Sequence, residues 1–270
     1  LAVVLLSAFA ASGQRELGVR PTDTGGPLMF EQAVYDVRSY DVSVRVDPAA
    51  KSIDGVTKMS AKVVIPTNVI VLDLDTPFAV KSVTESGQNI AWKRKGGRLY
   101  LHFPMTKQVG DPIETAVVYS GVPRVAPRPP WIGGFIWTKT PSGADWVSVA
   151  LQNDGADLLF PCKDHPSDKP AEVKMHISVP DPLVATGPGK LVEVKKVANN
   201  YSTYSWHMTN PISNYSVVFN AAPYKVVKDT IKSIGGDFPV EFYVLPEHED
   251  KAASLIAETK KYNAFFEKYL

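Results

Sequence analysis

Between Tyr40 and Asp47 apolar and polar residues alternate without a break. Tyr40, Val42, Val44 and Val46 fall on one face; Asp41, Ser43, Arg45 and Asp47 fall on the other. A period of two marks a strand with one face on a core and the other in water. Pro48 to Gly55 reads as a turn, and Val56 to Ile65 as the returning strand. In a third strand Ile70, Leu72 and Leu74 alternate with Val71, Asp73 and Asp75. Asn89 to Lys95 and Arg98 to Phe103 flank Gly96-Gly97, whose tolerance of positive φ predicts a tight hairpin. Ile113 to Tyr119 supplies another strand. Pro123, Pro127, Pro129 and Pro130 then predict a stiff, extended connection.

Aromatic-rich segments follow at Trp131 to Trp137 and Trp146 to Gln152. Val173 to Val179 and Tyr204 to Met208 alternate again, and Tyr215 to Phe219 reads as a further short strand. Strands at regular spacing, with turn signals and no helices between them, predict a mainly β fold: an antiparallel, saddle-like sandwich.

The pattern changes once, near the end. Pro239 to Leu245 is one more strand, after which Pro246 and the acidic residues Glu247, Glu249 and Asp250 open a helix. Ala252, Leu255, Ile256, Thr259, Tyr262, Phe266 and Leu270 recur at the helical period and form one apolar stripe. Nothing later in the sequence covers that stripe. The expected organisation is a leader over 1–14, a β domain over 15–230, and over 231–270 the start of a domain continuing beyond Leu270.

Composition narrows the function classes. Lys and Arg number 29 against 28 Asp and Glu, a net charge of +1 that excludes an electrostatic nucleic-acid binder. The run Leu1 to Ala10 is too short to span a bilayer, so no membrane span is expected. It suits the apolar part of a signal peptide, and Ala8-Phe9-Ala10 supplies a small-x-small cleavage pattern. The mature chain is then expected to begin just after Ala10 to Gly13, in a periplasmic or secreted protein. The competing reading, an apolar strand on the core, lacks the alternation seen elsewhere. The single cysteine, Cys162, cannot form an internal disulfide, and Leu158-Leu159-Phe160-Pro161 before it predict burial.

No catalytic constellation is visible. His102, His176 and His207 lie within strand patterns, and His165 in a polar loop. His248-Glu249 approaches a zinc motif, but the second histidine would have to stand at 252, where Ala252 is found. No nucleophile elbow, phosphate loop or dinucleotide fingerprint occurs. The segment Gln152 to Pro170 is denser in polar groups than a plain β domain requires. On chemistry alone it reads as a long loop with Asp164 and Asp168 as turn formers.

Phe160-Pro161-Cys162-Lys163-Asp164-His165-Pro166 resembles the Phe-Pro-Cys-x-Asp-x-Pro signature in the N-terminal domain of gluzincin zinc aminopeptidases. That family includes membrane alanyl aminopeptidase and leukotriene hydrolase. Pro211-Ile212-Ser213-Asn214-Tyr215 is similar to the family's Pro-Met-Ser-x-Tyr segment. Tyr35 to Val46 and Ile113 to Gly121 resemble its opening strand and its Tyr-x-Gly strand. The resemblance implies a β-saddle domain docked in cis on a thermolysin-like zinc domain beginning near residue 230. It also implies zinc in the parent enzyme, none in this segment, and a peptide substrate with a free N-terminus. The family's catalytic and metal residues would lie beyond Leu270, leaving no catalytic or metal residue to assign here.

Gln152 stands nine residues before Pro161, where the family places a Gln or Glu that binds the substrate's α-amino group. An Arg frequent in the family falls on Asp157. Without the resemblance, Gln152 reads as the cap of the strand Trp146 to Leu151. The competing functions are a non-catalytic β-sandwich binding module and a catalytically dead aminopeptidase relative. A His-Glu-x-x-His motif after Leu270 would discriminate among the three.

Overall fold

The alternation from Tyr40 to Asp47 belongs to a longer strand, β1 (Tyr35–Asp47), in a computed structural model that describes residues 27–270. The leader expected over 1–14 lies outside the described residues. Tyr35 and Val37 are buried at odd positions, whereas Tyr40, Val42, Val44 and Val46 are buried at even ones. A bulge between Val37 and Ser39 makes the switch. One extra residue turns the parity of the strand, so both sets reach the same core.

β1 pairs antiparallel with β2 (Ser52–Val63) and parallel with β11 (Glu172–Pro180). Both pairings lie inside an eight-stranded sheet. Its order is β13 (Lys190–Val197), β14 (Tyr201–Met208), β11, β1, β2, β8 (Pro112–Gly121), β4 (Phe78–Glu85) and β5 (Gln88–Asn89). A three-stranded sheet orders β3 (Thr67–Asp73), β7 (Arg98–Lys107) and β6 (Ala91–Lys95). A four-stranded one orders β12 (Val184–Thr186), β15 (Asn220–Ala222), β10 (Asp145–Ala150) and β9 (Gly134–Lys139).

One apolar cluster joins all three sheets. Val42, Met59, Val117 and Met175 come from the large sheet, Leu72 and Leu101 from the second, and Phe135, Val147 and Ala221 from the third. Gly55 faces Tyr119 across β2 and β8, and a Cβ at Gly55 would stand 2.2 Å from the tyrosine ring. Glycine is therefore required there.

The opposite face of the large sheet is polar. His176 Nε2 lies 3.4 Å from Asp41 Oδ1, and its Nδ1 lies 2.9 Å from Ser205 Oγ, linking β1, β11 and β14. The bond to His176 holds the Asp41 carboxyl below its usual range.

The mainly β, antiparallel fold is as expected, with one parallel pair in the large sheet: β1 and β11 are far apart in sequence and no hairpin constrains their direction. Several expectations are corrected. Val71, Asp73 and Asp75 do not face water but are buried with Ile70, Leu72 and Leu74. Tyr215 to Phe219 is no strand. A 3₁₀ turn at Asn214–Ser216 takes its start, closed by Ser216 N–H and Val217 N–H on the Ser213 and Asn214 carbonyls. A short helix, α1 (Phe30–Ala33), precedes β1.

The C-terminal strand β17 (Phe238–Val244) pairs with β16 (Lys225–Ile231), a partner the alternation did not reveal. Position 230, the expected boundary, lies inside β16. The helix begins as a 3₁₀ turn at Pro246–His248 and continues as α2 (Glu249–Tyr269). Lys260 Nζ reaches Asp229 at 2.6 Å and ties α2 to the hairpin, while the Tyr243 ring lies tilted 6.0 Å from that of Trp206 and ties the hairpin to the large sheet. Of the apolar stripe only Ala252 and Ile256 are buried; Leu255, Tyr262, Phe266 and Leu270 are exposed. Among the described residues no helix is long and apolar enough to cross a membrane.

Candidate functional site

The segment Phe160 to Pro170 is not a wholly solvated loop: Phe160 to Asp164, Asp168 and Pro170 are buried, whereas Pro166, Ser167 and Lys169 are exposed. Its buried part joins elements distant in sequence. Cys162 forms an isolated antiparallel bridge to Asp73 at the end of β3, with N···O distances of 2.7 and 3.1 Å. Lys163 N–H donates to the Tyr40 hydroxyl at 3.0 Å, and its carbonyl accepts from Asn214 Nδ2 at 2.7 Å. Tyr40 meets Phe160 edge to face at 5.5 Å. Both stretches of the family resemblance, the signature and Pro211 to Tyr215, thus converge on one buried peptide unit.

Lys163 is the least expected component. Its ammonium is buried and donates to Asp168 Oδ2 at 2.8 Å and to the Tyr35 carbonyl at 2.7 Å, 4.9 Å from the Tyr35 ring centroid. Asp168 Oδ2 also accepts the Val37 N–H at 3.1 Å, next to the bulge. The expectation that Asp164 and Asp168 are turn formers is overturned, since both are buried.

Asp73 completes the cluster. Its Oδ2 accepts from Gln32 Nε2 at 2.5 Å and from the Asp164 N–H at 3.2 Å, and Arg98 Nε stands 3.7 Å from Oδ1. Burial, with the Asp164 charge adding to it, pushes the Asp73 carboxyl up to about 7. The Cys162 thiol is raised well above its ordinary value, first by burial and then by Asp164, Asp73 and Asp157. A buried thiol so disfavoured as thiolate is structural, not nucleophilic.

Gln152 is exposed, in the turn that follows β10. That turn is fixed from both sides: Asp154 N–H and Gly155 N–H donate to the Leu151 carbonyl, and Asp154 Oδ2 accepts the Gly133 N–H at 2.7 Å. Asp157, where the family often has Arg, is buried, and its carbonyl accepts the Asp75 N–H at 3.0 Å. β15 pairs antiparallel with β10 and leaves at the Trp146 end. The chain therefore departs towards β16 roughly 20 Å along the strand from Gln152, at about 3.3 Å per residue.

The histidines do not converge. His176 and His207 sit on the polar sheet face, the latter 2.7 Å from Glu172, and His165 Nδ1 lies 2.7 Å from Ser167 Oγ. Ala252, in the place of a second zinc-motif histidine, is fully buried. Among the described residues no three His, Cys, Asp or Glu side chains group so as to hold a metal.

Two predictions follow from the buried cluster. Lys163→Ala leaves Asp168 without its cation and should lower the unfolding free energy by about 3–5 kcal/mol in urea titrations. A loss below about 1 kcal/mol would show that the pair contributes nothing. For Asp73, the folded-state carboxyl lies at about 7, above its unfolded value of 3.8. The native state therefore holds more protons than the unfolded state between these values, and stability falls as pH rises through that window. In Asp73→Asn this component of the slope should vanish, by comparison of urea midpoints from pH 5 to 8. Identical pH profiles for the two proteins would refute the assignment.

Comparison with known proteins supplies the family. Residues 37–216 match the Peptidase M1 N-terminal domain. Among solved structures, an M1 zinc metallopeptidase from Deinococcus radiodurans superposes with a TM-score of 0.67 at 21% identity, covering 77% of this chain and 47% of its own. A two-domain M1 zinc metallopeptidase mutant bound to L-arginine gives 0.68 at 21% identity, covering 80% and 51%. A Deinococcus radiodurans mutant bound to a Tyr-Ser-Ala substrate gives 0.67 at 21% identity, with the same coverage. The chain spans about half the length of these structures. No curated protein matches. With the match running from inside β1 through the 3₁₀ turn at Asn214–Ser216, this chain belongs to the Peptidase M1 N-terminal domain family.

Proposed function

We propose that this chain is the structural and substrate-positioning front domain of a zinc metallo-aminopeptidase that removes N-terminal residues from peptides. In this reading the chain itself carries none of the groups that cleave the bond. The zinc of the parent enzyme is held outside residues 27–270, by a catalytic domain in cis. The observation that carries the reading is the pairing of a deeply anchored signature segment with an exposed Gln152, in a turn fixed on both sides.

Gln152 has a definite task in this scheme. Its side-chain carbonyl accepts a hydrogen bond from the ammonium group of the substrate. A neutral amide can do this without the desolvation cost of burying a carboxylate. Because the chain departs from the other end of β10, the catalytic domain has to reach back along the four-stranded sheet to meet it. The uncovered apolar residues of α2 give that domain a surface on which to begin.

In the full-length enzyme Gln152→Ala should lower kcat/KM on substrates with a free N-terminus by about tenfold or more, since a hydrogen bond to a charged group contributes roughly 1.5–3 kcal/mol. N-acetylated peptides should be indifferent to the change. Unaltered kinetics would leave Gln152 as a strand cap. The apolar start of the sequence further supports export to the periplasm or the medium. N-terminal sequencing of the protein secreted by its native host should find a start just after Ala10 to Gly13. Retention of Leu1 to Ala10 would reject export by this signal.

A further inference from the structure

The loop before β9 holds a second side chain at the same end of the sheet as Gln152. Trp131 is 67% exposed, although a large aromatic side chain gains much from burial. Exposure of this kind in a mobile loop would carry no meaning. Here the loop is fixed at several points.

Arg124 makes two bonds to the Asp75 carboxylate, at 3.0 and 2.9 Å. Val125 forms a parallel bridge to Phe135, with Phe135 N–H on the Arg124 carbonyl at 2.8 Å and Ala126 N–H on the Phe135 carbonyl at 2.9 Å. Ile132 N–H closes onto the Arg128 carbonyl at 2.9 Å, and the prolines at 127, 129 and 130 stiffen what lies between. Gly133 then donates to Asp154, within the Gln152 turn itself. A Cβ at Gly133 would fall 2.4 Å from the Ala150 carbonyl, so the two segments touch backbone to backbone.

The ladder of β9 and β10 sets the relation. Gly134 faces Ala150, so Trp131 and Gln152 both lie just beyond the open end of the same hairpin. An exposed indole on a braced loop, two residues from the Gly133 that is bonded to the turn holding the group assigned to the substrate's ammonium, is suited to receive what is attached to the adjacent carbon. That is the side chain of the N-terminal residue.

We infer that Trp131 is a specificity-determining residue, an aromatic wall that favours peptides whose N-terminal residue carries a large apolar side chain. The inference rests on the aminopeptidase reading above. It differs from that reading in its readout, because Gln152 senses the ammonium of every substrate whereas Trp131 senses only the side chain.

The test measures kcat/KM of the full-length enzyme on leucyl, phenylalanyl, alanyl and glycyl reporters, for the wild type, Trp131→Ala, Trp131→Phe and Gln152→Ala. Trp131→Ala should lose about tenfold or more with leucyl and phenylalanyl reporters, and less than about threefold with glycyl. Trp131→Phe should recover most of the loss. A uniform loss over all four reporters, or none, would overturn the inference while a general Gln152→Ala defect left the aminopeptidase reading standing. A wild-type enzyme that cleaves none of them would overturn both.

Discussion

Taking an ammonium and a carboxylate out of water costs several kcal/mol per ion, and the attraction between them repays this only when every remaining donor is satisfied. The Lys163–Asp168 pair answers much of that demand by drawing on the backbone around it. Lys163 takes the Tyr35 carbonyl as a second acceptor, and Asp168 takes the Val37 N–H as a second donor. Those two residues flank the start of β1 ahead of its bulge. The ion pair therefore fixes where the central strand begins, and through it the parity of every residue that follows. With the main chain of residues 162–164 bonded to Asp73, Tyr40 and Asn214, the same short segment sets the positions of β3, β1 and the 3₁₀ turn after β14.

Much of the β architecture was legible because its strands have one wet face. Val42 to Val46 and Val173 to Val179 alternate for that reason, and the Gly96-Gly97 hairpin declares itself through its glycines. The failures have physical causes. β3 is covered on both faces, so Asp73 at its end and Asp75 just beyond it mimic a solvated face that does not exist. β13 and β16 are exposed almost throughout, and an edge strand without a buried face leaves no period to read. Asn214 hides a turn inside an apolar run, because its amide is committed to the Lys163 carbonyl.

The site was less legible than the fold. Residue chemistry taken alone made Asp164 and Asp168 turn formers, since nothing in a linear string shows that a lysine five residues from an aspartate is buried against it. The family signature corrected the emphasis without giving the reason, which is geometric. Gln152 could be placed by its distance from Pro161, whereas the fixing of its turn by Asp154 and Gly133 depends on a contact between two strands of a hairpin. Trp131 was visible only as one aromatic among several.

The parallel pairing of β1 with β11 has a consequence for how the chain is made. The hairpin of β1 and β2 can close as soon as it emerges, but the other edge of β1 stays open until residues 172–180 have been synthesised. At about 5–20 residues per second, that interval lasts on the order of 10 s. Throughout it a long strand with buried-type valines presents unpaired amides and carbonyls to whatever meets it. The signature segment and its ion pair emerge just before β11, so the anchor for the strand and its missing neighbour arrive almost together. Completion of the large sheet thus waits on a strand about two-thirds of the way along the sequence, and any chain that has not yet delivered it keeps that edge of β1 open.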